Sequence, residues 1–304
     1  MGTAATAAIA TLKKNGFAKL SQKVLSSEET KEFESIIDRL HADKSISVDY
    51  SANSPSAASL IGRDQRLDFL LNKILAHPEV QGVLSQVVGD DFKIWEISTR
   101  ISMDTDPGLG MHVDAVGQCN LAYLINDQTT PAGVTSFWPG SHLLPRSFIN
   151  KVGLALDWIG SYYWKKMFVP LTGTAGDVAF FVNKTYHGRL PAPASGGQRK
   201  IILMGCFPVG SRFKPIQQHV PFDSIEQPEL RKRLSLSQGV HTMGDGFVMV
   251  GPEGAKSSSY TMSIEPAGPA SFKTFWMASK ARLANLCFGV YKRLRPNRSE
   301  VSHA

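Results

Sequence analysis

Cysteine is scarce: three residues in 304, Cys119, Cys206 and Cys287, with no two close along the chain. An odd, scattered set argues against a disulfide framework and against a cysteine zinc site. Cys119 and Cys206 sit in apolar runs and read as small core residues, which suits a reducing, cytoplasmic compartment. Long hydrophobic runs are also missing, since none reaches the roughly 18 residues that a membrane-spanning helix needs. The N-terminal residues lack the basic start, extended apolar centre and cleavage site of a secretory signal. Gly2 followed by Thr6 does match the short, permissive myristoylation pattern.

Acid is missing from one place. Between Pro266 and Ser299 there are seven cations and no Asp or Glu. Outside that stretch cations and acids balance at 26 each, so the net charge of +7 describes a tail. No nucleic-acid-binding core is expected from this distribution. The tail also carries an approximate helical stripe of Phe272, Phe275, Trp276, Leu283, Leu286, Val290 and Leu294. Two readings stand for it. One is a helix packed on the main domain or on a second subunit. The other is peripheral contact with an anionic membrane through residues 270–298.

The rest is ordinary globular composition, 42% hydrophobic and 19% charged. The division expected is residues 1–265 as one domain, with its core at about 90–210, and residues 266–304 as the tail. Residues 8–25 read as a short helix or turn leading into a strand, with Gly16 as punctuation. Ser26 or Ser27 caps an amphipathic helix whose apolar side is Phe33, Ile36, Ile37 and Leu40. Residues 42–60 read as a loop, and 64–87 as a second helical stretch.

From Asp91 the period changes to that of strands. FKIWEISTRI, NLAYLI, VTSFW, DVAFFVN and KIILMGCF are separated by Gly- and Pro-rich turns. This pattern predicts a mainly β fold with accessory helices, a sandwich or jelly roll. Residues 143–170, with Leu154, Trp158, Tyr162, Tyr163 and Trp164, read as an inserted helix or lid.

Chemistry is carried by His112-Val113-Asp114 and by His187, 73 residues after Asp114. Positions i and i+2 of a strand share a face, so His112 and Asp114 can reach one metal ion. A second His from a distant strand completes three ligands on one face of an octahedron and leaves the other open. Twelve residues after His187, Arg199 opens KIILMGCF and can return to the same mouth, where a guanidinium would hold a carboxylate by paired hydrogen bonds.

The combination of HVD at 112–114, QTTPAGVTSFWPGSH ending at His142, and GDVAFFVNKTYHGRLP running into QRKIILMGCFP resembles the phytanoyl-CoA hydroxylase-like (PhyH) dioxygenases. The resemblance covers roughly residues 15–208, including the opening NGFAKLSQKVLSSEETKEF. It implies a double-stranded β-helix (jelly-roll, cupin-like) barrel with Fe(II) on His112, Asp114 and His187. It also implies 2-oxoglutarate as cosubstrate on Arg199, O2 as oxidant and ascorbate as a candidate reductant. His142 would be a structural turn residue. The Asp114 carboxylate favours hydroxylation, since related halogenases lack it; desaturation and ring formation stay open.

Two departures stand out. Arg189 replaces the small residue common two positions after the distal His, and the spacing to Arg199 is slightly long. Arg189 is therefore a candidate for sharing the anchoring role or for meeting an anionic substrate. Thr99, on the strand before the HVD turn, is a further candidate for holding the cosubstrate. The substrate expected is a small or lipid-linked molecule hydroxylated at an aliphatic carbon and met by residues 42–63 and 143–170. Two alternatives remain: a non-catalytic binding protein on the same barrel, and a metalloenzyme independent of 2-oxoglutarate, which would not need Arg199.

Overall fold

The computed structural model describes residues 2–43, 60–102, 106, 108–114, 119–129, 133–145, 148, 168–189, 198–207, 216–218, 225–234, 239–243 and 247–251. All of them belong to one compact unit, Met1–Ala255. The basic tail, nearly all of the expected insert and most of the 42–63 loop lie outside the described residues.

Four helices come first. The alanine-rich α1 (Thr3–Asn15) starts earlier than the periodicity suggests and stops at Gly16. Gly16 takes φ 84° and donates its N–H to Leu12 O, a left-handed cap that glycine adopts without steric cost. A short strand β1 (Phe17–Lys19) follows. α2 (Ser27–Ala42) carries a full capping box: the Ser26 side chain accepts from Glu29 N, and the Glu29 side chain accepts from Ser26 N. Its buried face is Thr30, Phe33, Ile36, Ile37 and Leu40.

The helical stretch expected at 64–87 is two helices, α3 (Gln65–Ala76) and α4 (Pro78–Val88). Pro78 forces the break. It has no N–H to donate, and its ring disfavours helical backbone at His77, which takes ψ 128°. Pro78 then serves as the first residue of α4, where a missing donor costs nothing.

The strands form two antiparallel sheets that position the site. The larger has the order β1-β7-β4-β9-β2, with β7 Val178–Val182, β4 Cys119–Leu124, β9 Arg199–Phe207 and β2 Lys93–Ser102. The smaller has the order β3-β8-β5-β6, with β3 Leu109–His112, β8 His187–Arg189, β5 Thr135–Phe137 and β6 Val169–Pro170. β6 thus occupies the end of the segment read as an insert. This is the jelly roll expected from the strand pattern. Beyond it lie α5 (Pro228–Leu234) and a third sheet of β10 (Ile216–Gln218), β12 (Phe247–Gly251) and β11 (Gly239–Met243), which the strand pattern did not announce.

Strand alternation divides the core in two. Cys119, Leu121 and Tyr123 of β4, Val178 and Phe180 of β7, and Ile202, Met204 and Cys206 of β9 join α1–α4 in one buried cluster. Cys119 and Cys206 face each other in the β4–β9 register. The intervening residues Ala122, Leu124, Ala179, Phe181 and Ile201 turn the other way and pack with Phe137 and Leu171 between the sheets. β4 is therefore buried on both sides, and all six of its residues, Asn120 included, are buried. Polar ties fasten the helix layer. Lys200 Nζ bonds Glu34 (2.9 Å) and Asp38 (2.8 Å) of α2, and Thr30 Oγ1 meets Tyr123 OH at 2.8 Å.

Asp68 of α3 is buried, and both its oxygens accept from Gly62 N–H at 3.0 and 3.1 Å. Burial raises its carboxyl to about 6, against the lowering effect of that hydrogen bond. A carboxyl that holds its proton more tightly when folded stabilises the fold below about pH 4, and that stability is lost as pH rises towards 6. Between pH 4 and 6.5 wild type should lose on the order of 2 kcal/mol more than Asp68→Asn in chemical denaturation. Parallel pH profiles for the two proteins would contradict this.

Candidate metal centre

His112 is the last residue of β3 and stands opposite His187, the first residue of β8. Asp114 lies just past the strand, held by its N–H to Asn183 O at 2.9 Å. The two rings come within 4.6 Å, centroid to centroid. His112 Nε2 is 3.4 Å from Asp114 Oδ1, and His187 Nε2 is 3.4 Å from Asp114 Oδ2. The three ligand atoms lie within 4.8 Å of one another. Adjacent ligands of an octahedral ion at about 2.1 Å lie about 3 Å apart, so a metal fits with small adjustments.

Tautomers are set by the backbone. His112 Nδ1 pairs with Gly110 O at 2.8 Å and His187 Nδ1 with Thr185 O at 2.7 Å. A carbonyl can only accept, so each Nδ1 carries the proton and each Nε2 presents a lone pair to the ion. Burial alone would raise the Asp114 carboxyl. The hydrogen bonds and charges of His112 and His187 outweigh it and hold the group below the usual carboxylate range. Burial would likewise lower His112, but the Asp114 carboxylate and Gly110 O raise it. Asn120 Nδ2 is 3.4 Å from Asp114 Oδ2.

The surroundings are asymmetric. The His187 side chain is 7% exposed, against 37% for His112 and 34% for Asp114. Phe181 and Phe137 pack, tilted, near the His187 ring, with centroids at 5.0 and 6.0 Å. One side is thus dry, and the side formed by His112 and Asp114 is open. Gly188 makes the pairing possible. A Cβ there would meet Leu109 O at 2.8 Å and Met111 Cα at 3.0 Å, both backbone of β3.

Beyond His187 the interior wall turns polar. Arg199 is buried, donating from Nε to Gln128 Oε1 (3.2 Å) and from Nη2 to Thr135 Oγ1 (2.8 Å). Burial first, then the neighbouring Arg189 charge, pull its guanidinium down to about 9. It remains charged at neutral pH, and its hydrogen bonds go to an amide and a hydroxyl. Arg189 is also buried and bonds Asp106 Oδ1 at 2.9 Å, within a pair nearly sealed from water. Arg189 thus shares the smaller sheet with the two imidazoles, and Arg199 reaches it from the larger sheet through Thr135.

Thr99 is elsewhere. It pairs with Ile202 on the helix side of the sheet, and its hydroxyl meets His41 Nε2 of α2 at 2.6 Å. Alternation along β2 is the reason: Ser98 and Ser102 take the inner face, and Thr99 takes the outer. Ser102 lies directly opposite Arg199. Gln128, Thr135, Asp106 and Asn120 were not anticipated. The i, i+2 spacing of Thr135 and Phe137 could have placed Thr135; Asp106 carries no comparable signal.

The sequence profile of the Phytanoyl-CoA dioxygenase (PhyH) family matches residues 12–196. The chain belongs to this family. Among solved structures it is similar to AviO1 from Streptomyces viridochromogenes Tue57, with 21% identity, TM-score 0.53, and 71% of this chain and 100% of that one covered. It is similar to HygX from Streptomyces hygroscopicus with nickel and 2-oxoglutarate bound, at 13% identity and TM-score 0.54, over 67% and 87% of the two chains. It is also similar to SnoN, a non-haem α-ketoglutarate-dependent epimerase of nogalamycin biosynthesis, at 18% identity and TM-score 0.52, over 68% and 84%. Comparison with curated protein sequences gives no significant match. Membership accords with the triad, whose two lone pairs, one carboxylate and open side suit Fe(II), and with the buried Arg199, bonded to an amide and a hydroxyl, which suits 2-oxoglutarate. Among the described residues no helix is long and apolar enough to cross a membrane.

Gly188→Ala should push β3 from β8 and separate His112 from His187. Calorimetric titration with Ni(II) should show affinity reduced at least tenfold, with the far-ultraviolet spectrum retained. Unchanged affinity would refute the role given to this glycine.

Proposed function

We propose that the protein is an Fe(II)- and 2-oxoglutarate-dependent oxygenase that hydroxylates an aliphatic carbon of a small or lipid-linked molecule. One observation carries the reading: two imidazoles and a carboxylate converge, open on one side, at the edge of the smaller sheet, and a buried Arg199 of the larger sheet reaches that same sheet through Thr135. Arg199 binds the far carboxylate of the cosubstrate, with Thr135 Oγ1 and Gln128 Oε1 fixing the plane of its guanidinium. Phe137 and Phe181 keep water from the His187 side. His112 and Asp114, on the open side, border the approach for substrate. The iron supplies the oxidation of the substrate by dioxygen, with 2-oxoglutarate leaving as succinate and carbon dioxide.

SnoN is an epimerase, and the chain is also similar to SnoK, a non-haem α-ketoglutarate-dependent carbocyclase of nogalamycin biosynthesis (18% identity, TM-score 0.52, 69% of this chain and 87% of that one); both support a second outcome on the same machinery, stereochemical inversion or ring closure. A product heavier by one oxygen favours hydroxylation, and one isobaric with substrate, or lighter by two hydrogens, favours the second outcome.

The first test is succinate formation from 2-oxoglutarate with Fe(II) and ascorbate. His112→Ala should abolish it. Arg199→Ala should lower kcat/KM for 2-oxoglutarate by about 100-fold, the worth of a buried charge-assisted pair. A rate indifferent to Arg199→Ala would indicate a metalloenzyme that does not use 2-oxoglutarate.

A further inference from the structure

Arg189 and Asp106 form a buried ion pair that holding the fold together does not fully use. Arg189 Nε and Asp106 Oδ2 are each sealed from water without a hydrogen-bond partner, and so is Ser102 Oγ, directly across from Arg199. Buried polar atoms cost free energy when left unmatched, so three on the elements around Arg199 mark a place shaped for a ligand. The placement says which ligand. Arg189 lies two residues from His187 on the same strand, hence on the same face, and its register partner is Thr135, the residue that orients Arg199. It therefore stands beside the path from the metal ligands to Arg199.

Charge narrows the choice. Arg199 and Arg189 bring two positive charges, and Asp106 neutralises Arg189 through its bond at 2.9 Å. Arg199 keeps its charge, with Arg100 as a further cation nearby, so the surroundings stay net positive, as a carboxylate requires. Asp106 Oδ1 also accepts from Gly108 N at 2.8 Å, which ties the pair to the turn before β3 and leaves Arg189 little freedom to withdraw.

Resting on the function proposed above, we propose that Arg189, braced by Asp106, is a second donor to the cosubstrate's far carboxylate and sets its length at five carbons. With its head fixed at the metal, a six-carbon 2-oxo diacid would drive its far carboxylate into the Arg189–Asp106 pair. A four-carbon diacid would stop short of Arg199.

The test is calorimetric binding of 2-oxoglutarate, 2-oxoadipate and oxaloacetate to nickel-loaded protein. Wild type should prefer 2-oxoglutarate to each of the others by at least tenfold. Arg189→Ser should weaken 2-oxoglutarate at least tenfold while 2-oxoadipate changes less than threefold, so that the preference collapses. Arg189→Lys keeps the charge but not the Nε donor, and should give an intermediate preference; it carries the test if the serine variant fails to fold. A wild-type preference retained in the folded variants overturns the proposal and leaves the oxygenase reading intact. Wild-type protein that binds none of the three diacids overturns both.

Discussion

The pairing of β3 with β8 at His112 and His187 is the constraint on which the centre depends. It joins a residue at the end of one strand to a residue at the start of another, 75 positions later in the sequence. Everything else about the metal site is local to one side or the other. Gly110 and Thr185 set the tautomers from within two residues of each imidazole. Asp114 follows its His by two positions and is pinned by Asn183, on the turn that leads to His187. The register is narrow because the backbones come too close at Gly188 for any side chain.

That pattern explains what the sequence made legible. The triad, Arg199 and the capped helix at Ser26 are visible because each depends on neighbours a few residues away or on a spacing that strand geometry interprets directly. The break at Pro78 was legible too, but the apolar period running through 64–87 masked it. Thr99 illustrates a limit. Its place on β2 was readable, but the face it presents depends on one residue of phase. A bulge between Ile94 and Glu96 sits in the same strand. The Asp106 contact with Arg189 spans 83 residues and rests on a turn whose sequence announces no partner.

The two buried arginines differ in the kind of partner they keep. Arg189 is matched by a carboxylate of its own chain, whereas Arg199 bonds a neutral amide and a hydroxyl. Burying a guanidinium against neutral groups costs stability unless an anion joins it. The protein thus carries a standing electrostatic demand inside its smaller core, while the larger helix-side core meets its needs with apolar packing and a few polar ties.

Sulfur distribution acquires meaning from this arrangement. Cys119, Cys206 and Met204 all turn toward the helices, and Met111, next to a metal ligand, packs outward with Phe168 and Tyr186. These four sulfur atoms thus have a sheet between themselves and the space between the sheets. A catalyst that handles dioxygen at iron is exposed to stray oxidation of its own soft atoms. Here the strand backbone acts as a firewall, and the same alternation that sorts the core shelters the groups most easily damaged.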